Sequence, residues 1–124
     1  MITEEKQLLL IDLCARLPYG IIVRNYATGE DDVLTYSLLE DFEIVGLEYI
    51  KPYLRSMSSM TEEEIEIINN LIYNKENIWT SPIPVWVINE SDIEKYVDFC
   101  NSHHLDYRGL IEKDLALEAP EDMY

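Results

Sequence analysis

The sequence predicts an α+β fold, and three observations point there. Apolar residues make up 48% of the chain, enough for a core, although 25 Asp and Glu against 9 Lys and Arg leave a net charge of −16. Helix-start signals stand at Thr3, Thr61 and Ser91, each followed by apolar residues at helical spacing. Between the first two lie short β-branched runs broken by turn residues, the mark of a hairpin. The expected architecture is a small, mostly antiparallel sheet, made of a hairpin near 21–38 plus a third strand. It packs with about three helices, near 3–17, 61–74 and 91–103. With 124 residues, one domain spanning 1–124 is expected.

Thr3 reads as the N-cap of the first helix, with Glu4 and Glu5 favourable to its dipole and Pro18-Tyr19-Gly20 ending it. Its apolar residues, from Leu8 to Leu17, cover more than one stripe, so the helix is expected at the centre of the core. Ile21–Tyr26 reads as a strand, Thr28-Gly29-Glu30-Asp31-Asp32 as the loop and Val33–Leu38 as the return strand. The third strand is placed within Phe42–Tyr49, where Phe42, Ile44 and Val45 stand among acids. Lys51–Met60 reads as an irregular loop because of its proline and serines, and it holds no acid. Thr61-Glu62-Glu63-Glu64 is a capping box, and Ile65, Ile68, Leu71 and Ile72 line one face of the helix behind it. Val85–Ile88, beside Pro82 and Pro84, reads as an edge strand or extended connector. Ser91-Asp92-Ile93-Glu94 is a second capping box, whose helix puts Ile93, Tyr96, Val97 and Cys100 on one stripe and ends near His103. Leu105–Tyr124 is too rich in apolar residues to hang free.

The charge excludes more than it assigns. A strongly acidic surface repels DNA, RNA and anionic membranes, so no direct nucleic-acid binding and no membrane association are expected. No apolar run is long enough to span a bilayer or to serve as a signal peptide, which points to a soluble, cytoplasmic protein. Nucleic-acid mimicry has a quantitative test. A net charge of −16 on about 6,900 Å² of surface is roughly one charge per 430 Å², against about one per 110 Å² on B-DNA. Mimicry therefore needs most acids gathered on one face, whereas the sequence spreads them through every element.

Few residues form a pattern that carries chemistry. Cys14 and Cys100 fit no metal spacing and no disulfide framework, and both are expected as buried free thiols. Cys100, His103, His104 and Asp106 could form a thiolate–imidazole pair oriented by a carboxylate. The competing reading is a histidine pair at a helix C-terminus, where a partly charged imidazole suits the dipole. Neither His103-His104-Leu105-Asp106 nor Glu30-Asp31-Asp32 has the ligand spacing of a zinc or calcium site. The glycines are isolated and cradle no phosphate. No metal, no cofactor and no catalytic residue is assigned.

Two runs are candidates for docking a protein partner. The first, in the acid-free stretch, offers Tyr53, Arg55, Met57 and Met60; the second offers His104, Asp106, Tyr107 and Arg108 directly after a helix end. Arg and Tyr often dominate binding energy, and loops carry function readily. The structural alternative is that Asp106 and Arg108 tie the tail to the core and Tyr53 plugs a gap.

Three stretches carry a resemblance: Leu10 to Gly20, Ile50 to Arg55 continuing through Ser58 to Glu64, and His103 to Lys113. Together they resemble a group of small acidic proteins of gut Bacteroidetes genomes and their phages or mobile elements. The chain departs from that group at Ser56, where proline is frequent, and at Asp114, where glycine is frequent. The resemblance implies a compartment and a lifestyle, and no reaction. The function expected from the sequence is a non-enzymatic cytoplasmic interaction protein. One alternative is an acidic mimic occupying a DNA- or RNA-binding protein; the second is a small enzyme using the His103/His104 region.

At ~150 mM salt the protein is expected to bind neither DNA nor RNA, because a surface of this sign releases no counterions on contact. A gel shift at micromolar protein checks this, and a retarded band would overturn it.

Overall fold

The structure, a computed structural model, describes residues 2–71 and 90–124. Its elements are α1 (Thr3–Arg16), β1 (Ile22–Asn25), β2 (Glu30–Val33), α2 (Tyr36–Val45), β3 (Ile50–Leu54), α3 (Glu62–Leu71), α4 (Glu90–Ser102) and β4 (Leu117–Glu118). Short 3-10 turns lie at Leu17–Tyr19, Leu47–Tyr49 and Met57–Ser59. The fold is α+β, with one mixed, mostly antiparallel sheet of order β2-β1-β3-β4. Only the β3–β4 pair is parallel among the described strands. The expected strand at Val85–Ile88, the stretch of the third helix past Leu71 and the Ser91 capping box lie outside the described residues or side chains.

Helix α1 forms where expected, but its cap differs. Thr3 is already helical, and Glu5 reaches back to accept from the Ile2 N–H at 3.1 Å. The helix also buries one stripe rather than sitting at the centre of the core: Leu9, Asp12, Leu13 and Arg16 face inward. Ile11 is 57% exposed, and Cys14 is exposed rather than buried. A helix packed against a sheet on one side can bury only about a third of its circumference. Here the tail supplies partners for Asp12 and Arg16, and this selects the charged stripe over the purely apolar one.

The hairpin is tighter than the sequence suggests. The Asn25 side chain accepts from the Ala27 and Thr28 N–H groups at 2.9 and 3.3 Å, turning the chain immediately after β1. Gly29 completes the turn at φ 78°. Glu30-Asp31-Asp32 are thereby strand residues paired with β1, not loop residues. The return strand ends at Val33, because Thr35 caps a helix through its hydroxyl, which accepts from the Leu38 N–H at 3.1 Å. The strand expected within Phe42–Tyr49 is instead the end of α2 and a 3-10 turn. Phe42 is buried while Ile44 is 83% exposed, so the apparent alternation is not a burial pattern.

The third strand lies in the stretch expected to be a loop. Strand β3 alternates buried Ile50, Pro52 and Leu54 with half-buried Lys51 and Tyr53. It tolerates Pro52 because of register. Tyr26 N–H donates to Tyr49 O at 2.8 Å, so the alternation places Pro52, opposite Val23, at a position where β1 needs no donor. One step further the ladder is completed by a side chain. The Tyr124 hydroxyl accepts from Ile22 N–H at 2.9 Å and donates to Tyr53 O at 2.8 Å.

Two apolar clusters result. One joins α1, the sheet, α2 and the tail through residues such as Leu13, Val23, Phe42, Leu54 and Leu110. The other joins the turn after β3 to α3 and α4 through Met57, Ile68, Tyr96, Cys100 and Leu105. The segment from Leu105 onward packs as its composition requires, with Leu110, Leu115 and Ala116 buried. Asp114 takes the left-handed conformation, φ 59°, in a turn closed by Leu115 N–H to Leu110 O at 3.0 Å. The turn expected to be in doubt after Lys113 forms with aspartate, since a short polar side chain tolerates this region.

Asp12, fully buried, accepts from Arg16 Nε at 2.9 Å and from Arg108 Nη1 at 2.8 Å. Replacing it with alanine leaves the Arg16 guanidinium buried without its counter-ion. Asp12→Ala is expected to cost about 3–5 kcal/mol, against under ~0.5 kcal/mol for Ile11→Ala on the exposed face. Denaturant unfolding of both variants measures the difference.

Candidate interaction site

The two candidate runs meet in space. Arg55 N–H donates to His104 O at 2.7 Å, and Asp106 N–H donates to Arg55 O at 2.8 Å, so the end of β3 pairs with the segment leaving α4. That segment is set by the end of α4. His104 N–H bonds Asn101 O and Leu105 N–H bonds Cys100 O, a Schellman closure with His104 in the left-handed position at φ 61°. His104 thus caps the helix through its backbone. Its ring stacks on Tyr124 with centroids 3.7 Å apart, and burial pushes the imidazole down to about 4, so it carries no charge toward the helix dipole at neutral pH.

The large side chains of both runs are engaged inside the molecule. Arg55 grips Glu64 with both terminal nitrogens, at 2.8 and 2.7 Å, and also reaches the His103 and Ser59 carbonyls at 3.3 and 3.2 Å. Glu64 simultaneously closes the capping box of α3: it accepts from Thr61 N–H at 2.8 Å while the Thr61 hydroxyl accepts from Glu64 N–H at 3.2 Å. The Arg55 guanidinium, with help from Thr61 N–H, holds the Glu64 carboxyl down at about 2 despite partial burial. Tyr53 donates its hydroxyl to Asp31 at 3.0 Å. Met57 is buried and Met60 half-buried in the second cluster. Asp106 accepts from Leu110 and Ile111 N–H at 2.8 and 3.0 Å. The guanidinium carbons of Arg108 and Arg16 lie over the Tyr107 ring, 4.6 and 5.4 Å from its centroid.

Two clefts among the described residues share Ser56 in their lining. The larger, about 550 Å³, lies between the first turn of α3 and the strap that follows β4; Arg55, Glu63, Glu64, His103, Glu118 and Glu121 line it. Its carboxylates outnumber its one guanidinium, which Glu64 already holds. The smaller, about 400 Å³, has a mainly apolar lining that includes Met57, Tyr107 and Ile111. Sequence reasoning finds Arg55 but misses Glu63, Glu118 and Glu121 as its neighbours. The capping box identifies the turn that carries Glu63. Nothing local announces that Ala119 N–H bonds Leu54 O at 2.7 Å and so brings the strap alongside.

The Cys–His cluster is separated by its environments. Burial raises the Cys100 thiol to about 11 and lowers His104 to about 4, so neither is ionised near pH 7. His103 Nδ1 lies 2.9 Å from Phe99 O, with its ring stacked on Phe99 at 4.0 Å. Among the described residues no group of three His, Cys, Asp or Glu is placed to hold a metal ion, and no helix is long and apolar enough to cross a membrane. Comparison with protein-family models, curated proteins and solved structures finds no match to this chain.

Glu64 makes stability depend on acid pH. Its folded-state value lies below the ordinary 4.5, at about 2, so the stabilisation is full above pH 4.5 and is lost as pH falls toward 2. Allowing for solvent screening of a partly exposed pair, about 1–2 kcal/mol is expected to vanish over that window. Denaturant titrations of wild type and Glu64→Gln test it: the two stability curves are expected to converge as pH approaches 2.

Proposed function

We propose that this chain is a non-enzymatic interaction protein whose acidic cleft receives a basic segment of a protein partner. The observation that supports the reading is the cleft between the α3 N-terminus and the strap, where Glu63, Glu118 and Glu121 surround an arginine already paired with Glu64. A lysine or arginine side chain entering it meets carboxylates and little competing positive charge, and the −16 net charge steers such a partner toward the surface. A catalytic role for the histidine region has less support, because burial makes the Cys100 thiol harder to ionise and the His104 imidazole a weak base, the reverse of what an activated nucleophile needs. The runs that resemble the Bacteroidetes and phage group support a cytoplasmic setting and a mobile-element origin for this reading.

The test is quantitative capture of basic host proteins by wild type and by the triple variant Glu63→Gln, Glu118→Gln, Glu121→Gln. The variant should keep its melting temperature within a few degrees, since all three side chains sit at the surface. Capture is expected to fall at least ~10-fold and to lose much of its dependence on salt between ~50 and ~300 mM. Unchanged capture would overturn the cleft as the docking site. Displacement of the captured partner by duplex DNA would favour the nucleic-acid mimic instead.

A further inference from the structure

The edge of the sheet is the second surface with a definite chemistry. Among the described strands, β2 has β1 on one side and none on the other. Leu34 N–H donates to Ile21 O at 2.8 Å, and hydrogen-bonded pairs alternate in an antiparallel ladder. By the register of β1 and β2, Glu30 and Asp32 turn their backbone groups toward β1, while Asp31 and Val33 turn theirs outward. Among the described residues, no hydrogen bond is made to the outward N–H and C=O groups of Asp31 and Val33. The side chains along this edge are Glu30, Asp31, Asp32 and a Val33 that is 56% exposed. On the outer face Asp31 is already answered by Arg24 at 3.3 Å and by the Tyr53 hydroxyl at 3.0 Å. Glu30 and Asp32, two residues apart, point to the opposite face and make no ion pair among the described residues.

We infer that β2 is a strand-addition site for an extended basic segment of a partner protein. The open backbone groups provide the ladder. The spacing of Glu30 and Asp32 asks for two basic residues at alternate positions on one face, and Val33 asks for an apolar residue on the other. A second copy of this chain is the wrong occupant, because pairing two such edges would set Glu30, Asp31 and Asp32 of one against the same acids of the other. The surface is separate from the acidic cleft, and its test leaves the cleft untouched.

The probe is an acetylated, amidated eight-residue peptide of alternating lysine and valine, its binding read by fluorescence anisotropy at ~150 mM salt. Wild type should bind it and remain monomeric by sedimentation. Val33→Pro removes one outward donor at a position that β1 does not use, so the fold should persist and affinity should fall about fivefold or more. Glu30→Gln with Asp32→Asn, which keeps every backbone group, should weaken binding by a similar factor. Absence of binding, or self-association of wild type in place of peptide binding, would overturn the inference. So would affinity that falls in the charge variant but not in Val33→Pro, which would show attraction to acids without strand addition.

Discussion

Asp12 is a carboxylate with no exposure, held between two guanidiniums, and the arrangement of the whole chain follows from satisfying it. Removing a carboxylate and an arginine from water is costly, and only near-complete pairing offsets the loss. Arg16 answers from the same helix, one turn on, and passes a second hydrogen bond to Leu105 O at 2.6 Å. Arg108 answers from the tail. The segment 104–108 is therefore fixed to α1 from one side and, through the main chain of Arg55, to β3 from the other. The same segment places Leu105 in the second apolar cluster and leads to Leu110 in the first. Two clusters that share few side chains are joined by one polar knot.

More than half of the chain's cations are engaged within the molecule. Of the 9 Lys and Arg, Arg16, Arg24, Lys51, Arg55 and Arg108 form ion pairs within the molecule. Positive charge is thus concentrated in intramolecular contacts, while acids such as Glu63, Glu118 and Glu121 line an open cleft. A protein built this way attracts basic partners at long range and discriminates among them at the few places where backbone or cleft geometry adds contact.

Local signals were legible and non-local ones were not. The Thr61 capping box, the end of α1 at Pro18-Tyr19-Gly20 and the hairpin near Asn25 depend on residues within a few positions of one another. Helix α2 was obscured because Val33 to Leu38 serves equally as a β-branched run and as an approach to Thr35, whose cap lacks a carboxylate three positions on. Strand β3 was hidden by Pro52, whose tolerance is a property of its partner in β1 rather than of its neighbours in sequence. At the site, Arg55 stood out as an isolated cation. Its engagement with Glu64, nine residues away, and that of Arg108 with Asp12, ninety-six away, follow no sequence period. The acids opposite Arg55 come from a strap placed by a two-residue parallel strand, too short to leave a pattern.

The Tyr124 hydroxyl, wedged where β1 and β3 would otherwise exchange a hydrogen bond, has a consequence for how the chain is made. Ile22 and Tyr124 are 102 residues apart, and Asp12 meets Arg108 across 96. During synthesis β1 and β2 can pair early, since four residues separate them, but the junction with β3 stays open at one end until the tyrosine has emerged. The first helix waits for Arg108 in the same way, holding a buried-face carboxylate that water must solvate meanwhile. Closing loops of that length early costs entropy that only the contacts of Arg108 and Tyr124 repay, so native order in this part of the fold waits for those residues rather than accumulating along the chain.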